Sequence, residues 1–278
     1  MSDVESAPVG DDTESTDRVT DRGSVALRVD ALEKHYGGIT AVDRASFTVD
    51  SGSLTGLIGP NGAGKSTTFD LITGFETPDE GAVYFGEDRI TGLDPHEVAG
   101  KGLVRTFQIA RELGEMTVME NLMLAPKGQS GEALWRSVTP GVRGSVKREE
   151  AALLDRAWEM LEFFEIDHLW DEYAQNLSGG QRKLLEMARA LMTDPEMVLL
   201  DEPLAGVNPT LEKKLLDRIH ELRQEGYTFL LVEHDMDVIM DHCEHIIVMH
   251  QGRVLAEGSA ADIRADEQVI DAYLGEDV

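Results

Sequence analysis

The nonapeptide GPNGAGKST at residues 59–67, called the P-loop below, constrains the fold more than any other part of the sequence. It has the spacing G-x-x-x-x-G-K-[ST], in which glycines let backbone N–H groups wrap around phosphates and the lysine reaches them as well. The apolar run SLTGLIG (53–59) precedes it, and KSTTFDLITG (65–74) follows as a predicted helix. The strand–turn–helix order that a phosphate-binding loop requires is therefore predicted here.

Further short apolar runs alternate with helical patterns along the chain. EMVLLDEP (196–203) and TFLLVEHD (228–235) are two such runs, and each ends abruptly in polar residues. Runs of this length, buried on both faces and separated by helices, are typical of a mostly parallel sheet. Near the end, EHIIVMHQGRVLAEG places two apolar runs around Gln251 and Gly252, which predicts a hairpin. The fold class indicated is α/β.

The middle of the chain has a different pattern. From about Gln108 to Leu177 it is mainly helical, apart from a predicted loop at 126–145 that is rich in glycine and proline. Four apolar residues have the spacing of one helix face, namely Leu154, Trp158, Leu161 and Phe164. We therefore expect a helical insertion at about 109–180 in an α/β core.

The ends of the chain are polar. Residues 1–25 are small, polar and acidic and lack the apolar centre of a signal peptide, which predicts a disordered tail. No stretch approaches the roughly 20 apolar residues of a membrane-spanning helix. The single Cys243 rules out an internal disulfide and fits a reducing interior. We expect a soluble intracellular chain that is long enough for one large domain or two modest ones and that has a short C-terminal tail at 274–278.

The charge balance is strongly acidic. Asp and Glu outnumber Lys and Arg by 53 to 25, which gives a formal net charge of −28. Nucleic acid is not an expected partner, because binding phosphate backbones normally needs a basic face. Near 1 M salt the Debye length falls to about 3 Å, so the self-repulsion of such a chain largely vanishes. The composition resembles that of haloarchaeal proteins in a salt-saturated cytoplasm; an ordinary acidic protein is the alternative.

Polar residues follow the predicted strands at the edge where α/β sheets bind ligands. Asp201 can hold Mg²⁺ through its water shell, and the adjacent Glu202 can orient or deprotonate a water for attack on a γ-phosphate. His234 ends another apolar run, where its imidazole can reach the γ-phosphate or position the same water. Gln108, in VRTFQIAR, can sense the Mg²⁺ or the water. The residue types predict nucleotide hydrolysis.

A second anion-binding pattern is LSGGQRK at residues 177–183. A serine and two glycines precede a run of helix formers, so backbone N–H groups at the start of the helix can meet an anion. The P-loop already serves the phosphates of its own nucleotide. We therefore predict that LSGGQ faces the γ-phosphate of an ATP bound to another subunit, so that two chains sandwich two nucleotides.

Together these motifs resemble the ATP-binding subunits of ABC transporters, over about residues 26–273. The resemblance implies a P-loop NTPase (RecA-like) core with an antiparallel β portion and a helical insertion. It also implies ATP and Mg²⁺ as cofactors and ATP hydrolysis coupled to transport. The catalytic residues implied are Glu202, His234 and Gln108.

The resemblance also assigns binding roles to residues of the motifs. The Mg²⁺ ligands implied are Ser66, Gln108 and Asp201. Tyr36, in LEKHYGGITAV, matches the aromatic residue that stacks on adenine. The other nucleotide-binding residues implied are Gly59, Asn61, Gly62, Gly64, Lys65, Ser66, Thr67, Ser178, Gly179, Gly180 and Gln181.

A finer resemblance is carried by VRTFQIARELGEMTVMENLMLA, DEPLAGVNP, LVEHDMDVIM and VIDAYLG. They are similar to the larger ATPase subunit of branched-chain amino acid importers. Asn208 stands where many members of the superfamily carry Asp, and this subfamily tends to have Asn there.

This resemblance implies several partners and a location. The partners are a second ATPase subunit, integral membrane permease subunits that dock near Gln108 and the helices after it, and indirectly an extracellular solute-binding protein. The location is the cytoplasmic face of the cell membrane. A urea or short-amide importer and a soluble ABC ATPase of the iron–sulfur assembly type remain alternatives. Adjacent permease and solute-binding-protein genes would distinguish an importer from the soluble ATPase.

Overall fold

A computed structural model of the chain describes residues 24–106, 113–126 and 143–274. The strands within these residues are β1 (Val25–Tyr36), β2 (Ile39–Asp50), β3 (Leu54–Ile58), β4 (Glu80–Phe85), β5 (Asp88–Arg89), β6 (Leu103–Arg105), β7 (Met197–Asp201), β8 (Thr228–Val232), β9 (His245–His250) and β10 (Arg253–Gly258). The helices are α1 (Lys65–Ile72), α2 (Pro95–Gly100), α3 (Val118–Met123), α4 (Arg143–Phe163), α5 (Gly179–Met192), α6 (Pro209–Gln224), α7 (Met236–His242), α8 (Ala260–Ala265) and α9 (Glu267–Leu274).

The central sheet has six strands in the order β10-β9-β3-β8-β7-β6. All neighbouring pairs are parallel except β9 with β10. β3 and β8 are buried along their whole length, as their continuous apolar runs require in a sheet covered on both faces. The prediction of a mostly parallel sheet is confirmed, and so is the hairpin, since β9 and β10 flank Gln251 and Gly252, both at positive φ.

The second sheet is antiparallel, with the strand order β2-β1-β4-β5. Its inward side chains pack with α1 against one face of the central sheet, and the larger helices cover the other face. Successive residues of β3 divide between the two cores: Leu57 faces the antiparallel sheet, and Ile58 faces the helices. The helix α1, which follows the P-loop, is therefore packed between the two sheets, and this packing holds the start of the helix in place.

The structure buries only part of the apolar helix face predicted in the middle of the chain. Leu161 and Phe164 are fully buried and Trp158 is partly buried, but Leu154 is 38% exposed. Phe164 lies one residue beyond the end of α4. Most of the predicted loop at 126–145 is outside the described residues, and α4 begins within it, at Arg143. The predicted bounds of the tails, of the domain and of the helical insertion stay predictions.

Two further expectations concern burial and membrane spanning. Cys243 is buried against β3, and this burial raises the pKa of its thiol to about 12, so it is a packing residue. Within the described parts of the chain, no helix combines the length and the apolar character needed to cross a membrane.

Candidate functional site

The site lies where three central strands end side by side. β3 pairs with β8, and β8 pairs with β7, all in parallel, so their carboxyl ends meet at one edge of the sheet. β3 leads into the P-loop, β7 ends at Asp201, and β8 leads to His234. Parallel pairing therefore brings three motifs of distant sequence to one place.

The P-loop has a backbone that only glycine fits at two positions, Gly59 and Gly64. Gly64 has φ 100°, and a Cβ there would lie 2.5 Å from the carbonyl oxygen of Ala41. A Cβ on Gly59 would lie 2.1 Å from the carbonyl oxygen of Met249. Both distances are far below van der Waals contact, so any side chain would push the loop off the neighbouring strands. The requirement explains both glycines of the motif.

Lys65 begins α1 and is folded back over the loop. Its Nζ donates to the carbonyl oxygens of Gly59, at 2.5 Å, and Pro60, at 3.0 Å, and the residue is 6% exposed. Thr67 is partly buried, whereas Asn61, Gly62 and Ser66 are exposed. The first turn of α1 contains no acidic residue. The positive end of this helix dipole is thus available to an anion.

Asp201 and Glu202 are adjacent but point to different partners. Asp201 Oδ2 accepts from Arg105 Nη2 at 2.7 Å, whereas Glu202 Oε1 is 2.6 Å from His234 Nε2. Glu202 has φ 49°, a left-handed conformation that is costly for a residue with a Cβ. Its N–H donates to the carbonyl of Val232 at 2.9 Å, which holds this turn against β8.

A cavity of about 360 Å³ joins these elements. The residues that line it are Ser66, Arg105, Thr106, Lys183, Glu186, Asp201, Glu202 and Ala205. Lys183 Nζ donates to the carbonyl oxygen of Glu202 at 3.3 Å, and burial raises the pKa of Glu186. Sequence reasoning missed Arg105, Lys183 and Glu186. The available signal was their place by the motifs: Arg105 lies in VRTFQ, Lys183 ends LSGGQRK, and Glu186 follows three residues later.

Glu233 is another residue that sequence reasoning missed. It is 7% exposed, and its Oε1 accepts from the N–H of Leu204 at 2.7 Å. Burial raises the pKa of its carboxyl group. The contact ties the loop after Glu202 to the strand end that carries His234. An acid directly before a strand-end histidine was the only sequence signal.

The LSGGQ segment forms the start of α5. Ser178 Oγ accepts from the Gln181 N–H at 3.3 Å, and Gln181 Oε1 accepts from the Ser178 N–H at 2.9 Å. This is a reciprocal capping box, as serine followed three residues later by glutamine indicates. Ser178 and Gly179 are exposed, and Gly180 and Gln181 are partly exposed. None of these four residues lines the 360 Å³ cavity.

Tyr36, Asn208 and Gln108 were also singled out from the sequence, and the structure describes the first two of them. Tyr36, at the end of β1, is 44% exposed, and Lys34 Nζ lies 5.2 Å from its ring centre. Asn208 caps α6, because its Oδ1 accepts from the N–H of Leu211 at 3.0 Å. Asparagine and aspartate cap helices about equally well, so the departure from Asp costs α6 little. Gln108 lies outside the described residues.

Family profiles match two parts of the chain. The ABC transporter profile matches residues 42–205, and a profile for branched-chain amino acid ATP-binding cassette transporters matches residues 253–278.

Curated proteins match over most of the sequence. The probable branched-chain amino acid transport ATP-binding protein LivG of Archaeoglobus fulgidus is 46% identical over 90% of this chain and 95% of its own length. The high-affinity LivG protein of Escherichia coli is 40% identical over 90% of this chain and 98% of its own length.

Solved structures match the fold. A nucleotide-free ATP-binding cassette from an ABC transporter has a TM-score of 0.77 and 39% identity, over 90% of this chain and 98% of its own. The ADP conformation of an ABC transporter cassette also has a TM-score of 0.77. A dimeric post-hydrolysis cassette bound to ADP and Pi has a TM-score of 0.68 and 25% identity, over 84% of this chain and 98% of its own.

Proposed function

The chain belongs to the ABC transporter family, and on this premise we propose that it is the ATP-hydrolysing subunit of an importer for branched-chain amino acids. The substrate class rests on one observation above all. The segment 253–278, outside the general ABC profile, matches the profile of branched-chain amino acid cassettes. The LivG relatives support the same class along nearly the whole chain.

ATP binding uses the P-loop. Backbone N–H groups at the start of α1 would hold the phosphates, and Lys65 would exchange its bonds to the carbonyls of Gly59 and Pro60 for bonds to the β- and γ-phosphates. The exposed ring of Tyr36 would stack on the adenine. These roles are supported by the geometry of an open helix N-terminus beside a buried lysine.

Mg²⁺ fits the residues that line the 360 Å³ cavity. Ser66 and Asp201 both line it and offer oxygen atoms, the ligand type that Mg²⁺ prefers. We propose that they hold the ion, together with Gln108. When bound, Mg²⁺ would neutralise charge on the β- and γ-phosphates.

Glu202 and His234 are the proposed hydrolytic pair. Their 2.6 Å contact needs a hydrogen between them, which Nε2 supplies when the carboxylate is ionised. The histidine would hold the carboxylate in place, and the carboxylate would orient or deprotonate the attacking water. The left-handed backbone of Glu202 supports a functional role, because such strain concentrates at active sites.

A second ATPase subunit is the proposed partner at LSGGQ. Lys183 and Glu186 of α5 line the cavity beside this chain's own carboxylates. Along the helix axis Ser178 lies about 7.5 Å from Lys183 and about 12 Å from Glu186. The first turn of α5 has no acidic residue and is exposed. An ATP held by another chain would meet it there. The dimeric ADP- and Pi-bound relative supports such an assembly.

Permease subunits are the proposed membrane partners. Leu124, Trp170 and Tyr173 are large apolar side chains on the helical part of the chain, and they are 55%, 46% and 49% exposed. The N–H of Met119, in the first turn of α3, donates to the Trp170 carbonyl at 3.0 Å, and Thr117 pairs with Tyr173. Leu124 follows the last residue of α3, so the three side chains are distributed over the two ends of this short helix. We propose that they dock on the permease at the cytoplasmic face of the membrane, with the extracellular solute-binding protein acting from the other side. Nucleic acid is not a proposed partner.

Reconstitution tests the substrate class. We expect liposomes that contain the permease subunits, the partner ATPase, this chain and the solute-binding protein to take up labelled leucine, isoleucine and valine only with ATP. The control is the same liposomes with labelled urea or acetamide. Uptake of urea or acetamide without uptake of the amino acids would contradict the proposed substrate. ATPase activity that no permease alters would favour a soluble ATPase.

Salt dependence tests the proposed adaptation to high salt. With a net charge of −28, we expect the protein to lose folded structure below a few hundred millimolar KCl and to regain it toward about 1 M. Thermal melts followed by circular dichroism across this range measure the effect. Equal osmolality of sucrose is the control, since sucrose screens no charge. A midpoint that stays constant across the KCl series would refute the high-salt interpretation.

A further inference from the structure

Arg105 joins α1 to β7 in the wall of the 360 Å³ cavity. Its Nη1 donates to Asp70 Oδ1 at 2.6 Å, and its Nη2 donates to Asp201 Oδ2 at 2.7 Å. The guanidinium lies 5.5 Å from the centre of the Phe69 ring, and the Arg105 side chain is 10% exposed. Salt screens partly buried ion pairs such as Arg105–Asp70 and Arg105–Asp201 much less than surface pairs. The positive charge of Arg105 therefore acts strongly on groups in the cavity.

We propose that Arg105 competes with Mg²⁺ for Asp201 and thereby sets how strongly ATP binding depends on Mg²⁺. The inference deepens the proposed function and rests on it. The proposal rests on one arrangement of residues. Asp201, the carboxylate proposed to hold Mg²⁺, is already paired with the Arg105 guanidinium, and Ser66, the other proposed ligand, lines the same cavity.

Two effects of Arg105 on Mg²⁺ oppose each other. The guanidinium holds Asp201 in one orientation, which favours the ion, and it also places a positive charge beside a cation site, which disfavours the ion. The second effect is larger, because the ion carries two charges and Arg105 is nine-tenths buried, whereas orienting the short Asp201 side chain saves little entropy. The same positive charge attracts a triphosphate. Arg105 therefore supplies part of the positive charge that Mg²⁺ would otherwise supply to the triphosphate of ATP.

The measurable quantity is the Mg²⁺ coupling, defined as the Kd of a fluorescent non-hydrolysable ATP analogue in EDTA divided by its Kd in saturating Mg²⁺. We expect Arg105→Gln to weaken binding in EDTA and to raise this ratio at least about fivefold. Arg105→Lys loses the planar fork that bridges Asp70 and Asp201 but keeps the positive charge. Because the proposed competition depends on that charge, we expect its ratio to stay within about twofold of that of the unmodified protein. All titrations use the full chain at one KCl concentration.

Arg218→Gln is the matched control. Arg218 also bridges two carboxylates, Glu165 and Glu221, and its guanidinium lies over the Phe163 ring, away from the cavity. This variant loses the same charge and the same type of pair, so its Mg²⁺ coupling should equal that of the unmodified protein.

A double variant keeps the test valid if Asp70 and Asp201 repel each other enough to unfold Arg105→Gln. Arg105→Gln with Asp70→Asn removes one positive and one negative charge, so the net local charge returns to its original value. We expect its Mg²⁺ coupling to stay above that of the unmodified protein, because Asp201 has still lost the guanidinium that competes for it. Circular dichroism checks that the variant is folded. An unchanged coupling in the folded double variant would overturn the competition.

The outcomes separate this inference from the proposed function. An unmodified protein that binds no ATP analogue would overturn the proposed function itself. Normal binding with an unchanged ratio in folded Arg105→Gln would overturn the competition alone. A lowered ratio would also overturn it, because Arg105 would then assist Mg²⁺ by orienting Asp201.

Discussion

Replacement of Glu202 by glutamine is expected to reduce ATP turnover by about 10² or more while ATP binding is retained. Glutamine keeps the size of the side chain and can still accept from His234 Nε2, which is 2.6 Å away in the structure. It cannot take a proton from water. Because hydrolysis would no longer separate the two ATP-bound subunits, we also expect a stable dimer in the presence of ATP.

The measurements are steady-state ATPase activity and size-exclusion chromatography with ATP. Glu225→Gln is the control, since Glu225 is an exposed carboxylate that follows the last residue of α6. It lies just before the amino end of β8, whereas the site lies at the carboxyl ends of the strands. Its turnover should be unchanged. ATPase activity of Glu202→Gln equal to that of the control would remove Glu202 from the mechanism.

Replacement of Ser178 by arginine is expected to abolish dimer-dependent hydrolysis and ATP-driven uptake, with little change in the ATP affinity of the isolated subunit. The reason is geometric: the exposed first turn of α5 does not line the cavity beside the chain's own P-loop. A long side chain there would block an approaching γ-phosphate. If two different ATPases form the dimer, the defect should fall mainly on ATP held by the partner's P-loop.

Loss of the helix cap is a separate effect of the same substitution. Ser178 Oγ accepts from the Gln181 N–H, and losing such a cap costs about 1 kcal/mol. Ser259→Arg is the matched control, because Ser259 caps α8 with the same reciprocal box, to Asp262. It should lose similar stability and keep hydrolysis.

Mixing the Ser178 variant with unmodified partner and permease in liposomes measures the effect on uptake. Normal ATP-driven uptake would mean that LSGGQ is not the contact between subunits. A variant that fails to bind ATP as an isolated subunit would instead locate LSGGQ in the chain's own active site.

The sequence by itself determined the features that depend on short spacing. A glycine pattern between a buried strand and a helix specified the P-loop, because only glycine fits the backbone at Gly59 and Gly64. The serine and glutamine three residues apart specified the cap of α5. Continuous apolar runs specified buried parallel strands. In each case a short stretch of sequence carries the signal, although the carbonyl oxygens that exclude a side chain at Gly59 and Gly64 belong to the distant residues Met249 and Ala41.

Only the tertiary structure decided which side chains of the site meet. Arg105 pairs with Asp201, 96 residues away, and Glu202 meets His234, 32 residues away. Leu154 had the right helical spacing and is nevertheless 38% exposed, because the described elements bury Leu161 fully and Leu154 only in part. Such contacts follow from strand register: β7 and β8 align Asp201 with Val232, so the residues after each strand face each other. Register is a property of the whole sheet, set by the packing of both its faces, and no local spacing contains it.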